Sequence, residues 1–143
     1  MRNGMSSRAQ FIGRSLVYLI ALTYGYGGLV HIANIAGLSG YAWVDAPLKW
    51  QLLDVVYLSL DTVVFVGLLR SWRIATAAFF VASCSQIVLY TVGAQWIMAV
   101  PAEFLPTPGH EMSLSFLVGY HLVVLAMMVI SLKLQSLATR DGR

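Results

Sequence analysis

The stretch "YGYGGLVHIANIAG", Tyr24 to Gly37, places a histidine and an asparagine inside an otherwise apolar run. Both side chains are costly in hydrocarbon unless a partner answers them, so His31 and Asn34 require one. Candidates stand on other apolar runs. Asp54 and Asp61 are spaced to share one helix face, with Tyr57 between them. Gln86 lies near the middle of a third run, with Ser83 and Tyr90 on its face, and His121 lies in a fourth. An intramembrane carboxylate marks a functional site by default, which singles out Asp61. Together these residue types suit hydrogen bonding to a ligand head group, proton transfer or, for two imidazoles, axial ligation of one haem b iron.

Depth follows from a helical rise of about 1.5 Å per residue. His31 is then roughly 10 Å from the end of its run at Leu38, and His121 roughly 12 Å from the start of its run at Ser113. The two histidines are expected at one level on different helices. Asp54 falls roughly 6 Å and Asp61 roughly 16 Å below Trp50. Tyr24, Gly27, Gly28, His31, Asn34 and Ile35 form one stripe, and its glycines open a gap beside the histidine for a neighbouring helix or a flat ligand. The same residues equally suit a structural role. His31 and Asn34 fit interhelical hydrogen bonds, the glycines fit close packing, and Asp54 is near enough to the interface to be partly solvated. Glu103, His110 and Glu111 have no metal-ligand spacing.

The elements that position these residues are membrane spans. The chain has 143 residues, 59% hydrophobic and 10% charged, against about 25% charged in a soluble domain. Four runs reach the roughly 20 apolar residues of a span: about 15–38, 50–69, 74–100 and 113–134. The fold expected is an all-α, integral membrane four-helix bundle in one domain. The N-terminal run has the basic start of a signal peptide but continues past an h-region with no A-x-A site, so it is expected to stay as the first span. One cysteine, Cys84, excludes an intramolecular disulfide and a CxxC redox pair.

Lys and Arg set the orientation. Arg2, Arg8, Arg14, Arg70, Arg73, Lys133, Arg140 and Arg143 fall on one side and Lys49 alone on the other. Both termini are therefore expected in the cytoplasm, with Asp45, Glu103, His110 and Glu111 outside. The net charge of +3 is an orientation signal rather than a nucleic-acid patch. Trp43, Trp50 and Trp96 fall near one interface and Trp72 near the other, as an aromatic belt requires. Since 63–69, 74–82 and 123–132 hold no ionisable side chain, the polar pocket is expected to open to the periplasmic side above an apolar floor. His31 is expected to meet Asp54 or Asp61, and His121 as well.

An arginine opening the first span (Arg14), "GGLVH" late in that span and four short-looped helices resemble the DoxX-like group of small four-span bacterial membrane proteins. The resemblance implies the bacterial inner membrane and a link to redox or quinone complexes; it transfers no active-site residue. The leading functional reading is a ligand-binding subunit of a membrane redox system, taking a quinone or other lipid-like molecule in preference to haem b. The pocket residues are Tyr24, His31, Asn34, Asp54, Tyr57, Asp61, Gln86, Tyr90 and His121. The alternatives are a small proton-coupled transporter using Asp61, and an accessory or assembly protein whose polar cluster keeps four helices in register. Partners are the bilayer and, beyond it, other membrane subunits or further copies of the chain. No nucleophile–base pair or phosphate-handling motif points to an enzyme.

Overall fold

Apolar composition makes the outside of this molecule as hydrophobic as its inside. Leu22, Tyr26 and Leu29 on the first helix and Leu122, Val123 and Val129 on the last are all exposed, as lipid-facing side chains are. The computed structural model describes residues 2–105 and 114–140. His110, Glu111, Ser113 and Arg143 lie outside the described residues. The elements are α1 (Arg2–Ile35), a 3₁₀ turn (Trp43–Asp45), α2 (Leu48–Leu69), α3 (Arg73–Thr91), α4 (Ala94–Met98), a second 3₁₀ turn (Ala102–Phe104) and α5 (Leu114–Arg140). Among the described residues there is no strand. Four helices are long and apolar enough to cross a membrane: 7–35, 48–69, 73–91 and 114–139.

The four form a closed ring, α1 against α2 and α5, and α3 against α2 and α5. The connection between α2 and α3 is only 70–72, so these neighbours run antiparallel. Small residues set the spacing at the Arg70 end. A Cβ on Gly67 would stand 2.6 Å from that of Ala75, so α2 and α3 close on each other directly beyond their turn. Ser131 Oγ donates to the carbonyl of Gly13 (2.9 Å), joining α5 to α1. Between these lie Ile20, Val64, Phe79 and Met128, all nearly inaccessible.

Two helix ends are built alike. After α1, Gly37 adopts φ +72° while Leu38 N–H bonds the Ala33 carbonyl and Gly37 N–H that of Asn34. After α2, Ser71 adopts φ +57° with the same pair of bonds, Trp72 to Gly67 and Ser71 to Leu68. Both are Schellman closures, and the second is made by a residue for which the left-handed region is unfavourable.

The third apolar run, expected to continue over 74–100, is divided. α3 stops at Thr91, and the chain re-forms as the five-residue α4 after Gly93. A Cβ on Gly93 would meet the Leu89 carbonyl oxygen at 2.8 Å. The free carbonyls at the end of α4 are taken by α2: Lys49 Nζ donates to those of Trp96 and Ala99, and Trp50 Nε1 to that of Ile97 (3.0 Å). The rings of Tyr41, Trp50 and Phe104 pack together over this end.

Candidate functional site

α1 and α2 carry the cluster, because the antiparallel pairing that sets Gly25 against Phe65 also sets Gly27 against Asp61 and His31 against Asp54. Asp54 is buried, at 6% exposure, and accepts three hydrogen bonds. Its Oδ1 takes His31 Nδ1–H (2.8 Å) and Asn34 Nδ2–H (2.9 Å), and its Oδ2 takes the indole N–H of Trp43 (3.0 Å). Ser39 donates to the other end of the Asn34 amide. The last turn of α1, the loop beyond it and the second turn of α2 are thus joined at one carboxylate. Tyr41 sits above it, half-buried. Burial first, and then the Asp54 charge, hold its phenol above the ordinary tyrosine pKa.

Asp61 is buried more deeply, at 3% exposure. Its Oδ2 lies 3.9 Å from His31 Nε2, and its Oδ1 has no hydrogen-bond partner. The carboxylate fits here because Gly27 is opposite: a Cβ on that residue would stand 2.5 Å from Asp61 Oδ2. The glycine expected to clear space beside the histidine clears it for the aspartate. Tyr57 lies nearly parallel to the His31 ring (centroids 6.1 Å, planes 19° apart), and its hydroxyl donates to Ser85 (3.0 Å).

A second polar group sits across the bundle. Tyr24 reaches from α1 to Ser83 on α3 (2.5 Å) and packs edge-on against Phe79. Gln86 is buried, and its Oε1 has no partner. His121 donates from Nδ1 to the Leu117 carbonyl (2.6 Å) and lies beside the rings of Tyr90 and Tyr120. Its recorded partners are therefore distinct from those of His31. His31 Nε2, the atom that would ligate iron, faces a carboxylate oxygen, and Tyr57 covers that ring. This arrangement does not fit a haem held between the two histidines. Glu103 is exposed on the second 3₁₀ turn, and among the described residues no group of three His, Cys, Asp or Glu could hold a metal ion.

The cluster opens sideways. A groove of about 410 Å³ runs between α1 and α2, with Leu22, Leu29, Ile32 and Phe65 among its walls and Gly25, Gly28 and Asp61 at its base. Leu22, Leu29 and Ile32 are among the exposed apolar residues, so the mouth faces lipid rather than either aqueous end. Another groove, of about 550 Å³, lies between α2 and α3 beside Gly93 and exposes Tyr57 and Ser85. Neither of the two unpartnered buried oxygens lines it.

Trp43 was not among the residues singled out by sequence, although it holds Asp54. An indole at an interface reads as a belt residue, and only the fold turns its N–H inward. Ser85 likewise had no signal in the sequence beyond its neighbourhood to Gln86.

Fold and cluster define a small polytopic helical membrane protein with two buried carboxylates on either side of a half-buried imidazole. Comparison with protein-family models, curated proteins and solved structures gives no significant match.

Proposed function

We propose that this protein binds a quinone-type molecule, a ring with hydrogen-bonding oxygens on an apolar tail, drawn from the bilayer into the groove between α1 and α2. One observation carries the reading. Asp61, whose Oδ1 is buried without a partner, is the one carboxylate among the residues lining the apolar groove between α1 and α2. A buried polar atom left unsatisfied costs about 1–3 kcal/mol, and a ligand hydroxyl, as on the reduced (quinol) form, donates to it and removes that cost. Pockets of this kind, mostly apolar with a few placed polar groups, are the common form of small-molecule sites. The likeness to the DoxX-like group supports the same class, as a subunit of a membrane redox system. The Lys and Arg distribution supports placement in a bacterial inner membrane with the Arg70 end in the cytoplasm. The α2 side of the groove, Leu58, Asp61, Thr62 and Phe65, then lies at the middle of the membrane and toward the Arg70 end.

The test is purification in mild detergent followed by solvent extraction and mass spectrometry. Wild-type protein is expected to retain a quinone near one per chain. Gly28 is the place to block the groove, since an added Cβ meets only ordinary contacts there, Asp61 Cβ at 3.7 Å and Leu58 Cδ1 at 3.8 Å. Gly28→Ala is expected to retain the ligand, Gly28→Leu to lose it, and Asp61→Asn to weaken retention at least fivefold while folding normally. Equal retention by wild type and Gly28→Leu, or no lipid-soluble ring compound at all, would refute the assignment. A proton-coupled transporter would instead leave Asp61→Asn folded, ligand-free like the wild type, and inactive in a pH-gradient uptake assay.

A further inference from the structure

The hydrogen bonds of Asp54 decide how His31 is used. A carboxylate with three donors converging on it is itself an acceptor, so the imidazole carries its hydrogen on Nδ1. In the neutral ring this leaves the lone pair on Nε2, which lies 3.9 Å from Asp61 Oδ2. A carboxylate that fixes the tautomer of a histidine, with the far nitrogen aimed at a proton donor, is the arrangement by which proteins make imidazole a base. The carboxylate beside that nitrogen is the one that lines the groove.

We propose that Asp61, His31 and Asp54 form a proton relay between a molecule in the α1–α2 groove and the aqueous phase at the Trp50 end; as a relay for that molecule, it rests on the groove being a ligand site. A hydroxyl of the bound molecule gives its proton to the Asp61 carboxylate, and the O–H electron pair stays on the molecule. Asp61 passes the proton to His31 Nε2. The ring then holds a hydrogen on each nitrogen, one facing Asp61 and one facing Asp54, and releases the Nδ1 proton on the Asp54 side. One proton enters, one leaves and no electron moves. The ring is then the Nε2–H tautomer, and it returns to its starting form when water carries the Nε2 hydrogen to Nδ1, with no net proton moved. A separation of 3.9 Å exceeds a direct hydrogen bond, so the transfer uses a rotation of the Asp61 side chain or one bridging water.

Other titratable groups face these three from every neighbouring element. They are Tyr24 on α1, Tyr57 on α2, Tyr90 on α3 and Tyr41 in the first loop. From α5, His121 lies against Tyr90. Among the described residues, no Lys or Arg forms an ion pair with either aspartate.

The experiment needs no ligand. Protein labelled with ¹⁵N-histidine is placed in lipid nanodiscs and titrated, with the His31 signal assigned by its loss in His31→Gln. The Asp61 carboxyl band is followed by infrared difference spectroscopy and assigned by its loss in Asp61→Asn. The expected result is a neutral His31 with its hydrogen on Nδ1, and one shared pH transition in which the His31 and Asp61 signals change together, as coupled sites do. In Asp61→Asn the His31 midpoint should move by at least about one pH unit, a tenfold change in proton affinity. A hydrogen on Nε2, or a His31 transition unchanged in Asp61→Asn, overturns the relay. In sealed vesicles of one orientation, a pH step at the Trp50 end should shift the Asp61 band. A response to a step at the Arg70 end alone overturns the direction proposed. A coupled transition in a protein that retains no quinone would refute the ligand assignment and leave the relay standing; quinone retention with independent titrations would do the reverse.

Discussion

The two ends of the bundle are held by different forces. At the Arg70 end, helices meet through small side chains and close backbones: Gly67 against Ala75, and Gly13 against Ser131. Contacts of that kind depend on shape. At the Trp50 end, α1, α2 and the first loop meet at Asp54 through directed hydrogen bonds from His31, Asn34 and Trp43. Two buried oxygens, on Asp61 and Gln86, are left without partners deeper in the bundle. A membrane bundle gains little from apolar surface, because lipid is as apolar as leucine, and packing alone can hold helices together. The Arg70 end is held mainly by such packing, with the hydrogen bond from Ser131 to the Gly13 carbonyl added to it. Asp54 serves assembly through its three hydrogen bonds, whereas Asp61, whose Oδ1 has no partner and which lines the groove, adds no such bond, and the proposed ligand site gives it a use.

The contrast can be broken from either side. The largest effect is expected from Asp54→Ala. It strands three buried or half-buried donors, and breaking such a pair costs about 3–5 kcal/mol. The thermal midpoint in detergent should fall sharply, whereas Asp54→Asn, which keeps an acceptor oxygen, should lose less than half as much. If the two variants melt alike, the donors at this end contribute no more than shape does.

Gly67→Ala tests the other end. The new Cβ collides with that of Ala75, and overpacking of this kind costs about 1–3 kcal/mol. Melting should drop while quinone retention by the folded fraction stays at the wild-type level. Loss of ligand with it would show that the two ends are not separable.

Lys49→Met removes the donor to the Trp96 and Ala99 carbonyls. The lysine is partly solvated, so the loss should be about 1 kcal/mol and local. Hydrogen exchange should speed up within α4 and leave α1 and α2 unchanged. The smallest effect is a gain. Ser71 closes α2 at φ +57°, a region that costs an ordinary residue roughly 1 kcal/mol. Ser71→Gly should raise the melting point by a degree or two, with no effect on the carboxylate cluster.

The sequence made the four spans legible because hydropathy alone specifies them. It did not show the division of the third. Val92, Ile97, Met98 and Val100 keep the run apolar through the break, and what ends α3 is tertiary: Gly93 folding against Leu89, and Lys49 and Trp50 reaching from α2 to the carbonyls of α4. The pairing of His31 with aspartates on α2 was legible from helical spacing and depth. Which aspartate would hold which nitrogen was not, since that depends on the register of α1 against α2. The separate surroundings of His121 were hidden for a related reason. Depth along a helix says nothing of which way a residue faces, and its Nδ1 is occupied within its own helix by Leu117.

The position of Asp61 along α2 bears on competition. Every site open to lipid is flooded by phospholipid, present in vast excess over any quinone. Phospholipids carry their polar atoms at the headgroup, and only acyl chain reaches the level of Asp61, roughly 16 Å down the helix from Trp50. An acyl chain can fill the groove, but it slides past an unpaired carboxyl oxygen without satisfying it. A molecule that brings a hydroxyl to that depth does satisfy it. In the ligand site proposed above, a single aspartate placed deep in the hydrocarbon would thus act as a filter against the solvent itself, selecting by where along a molecule its polar atom lies.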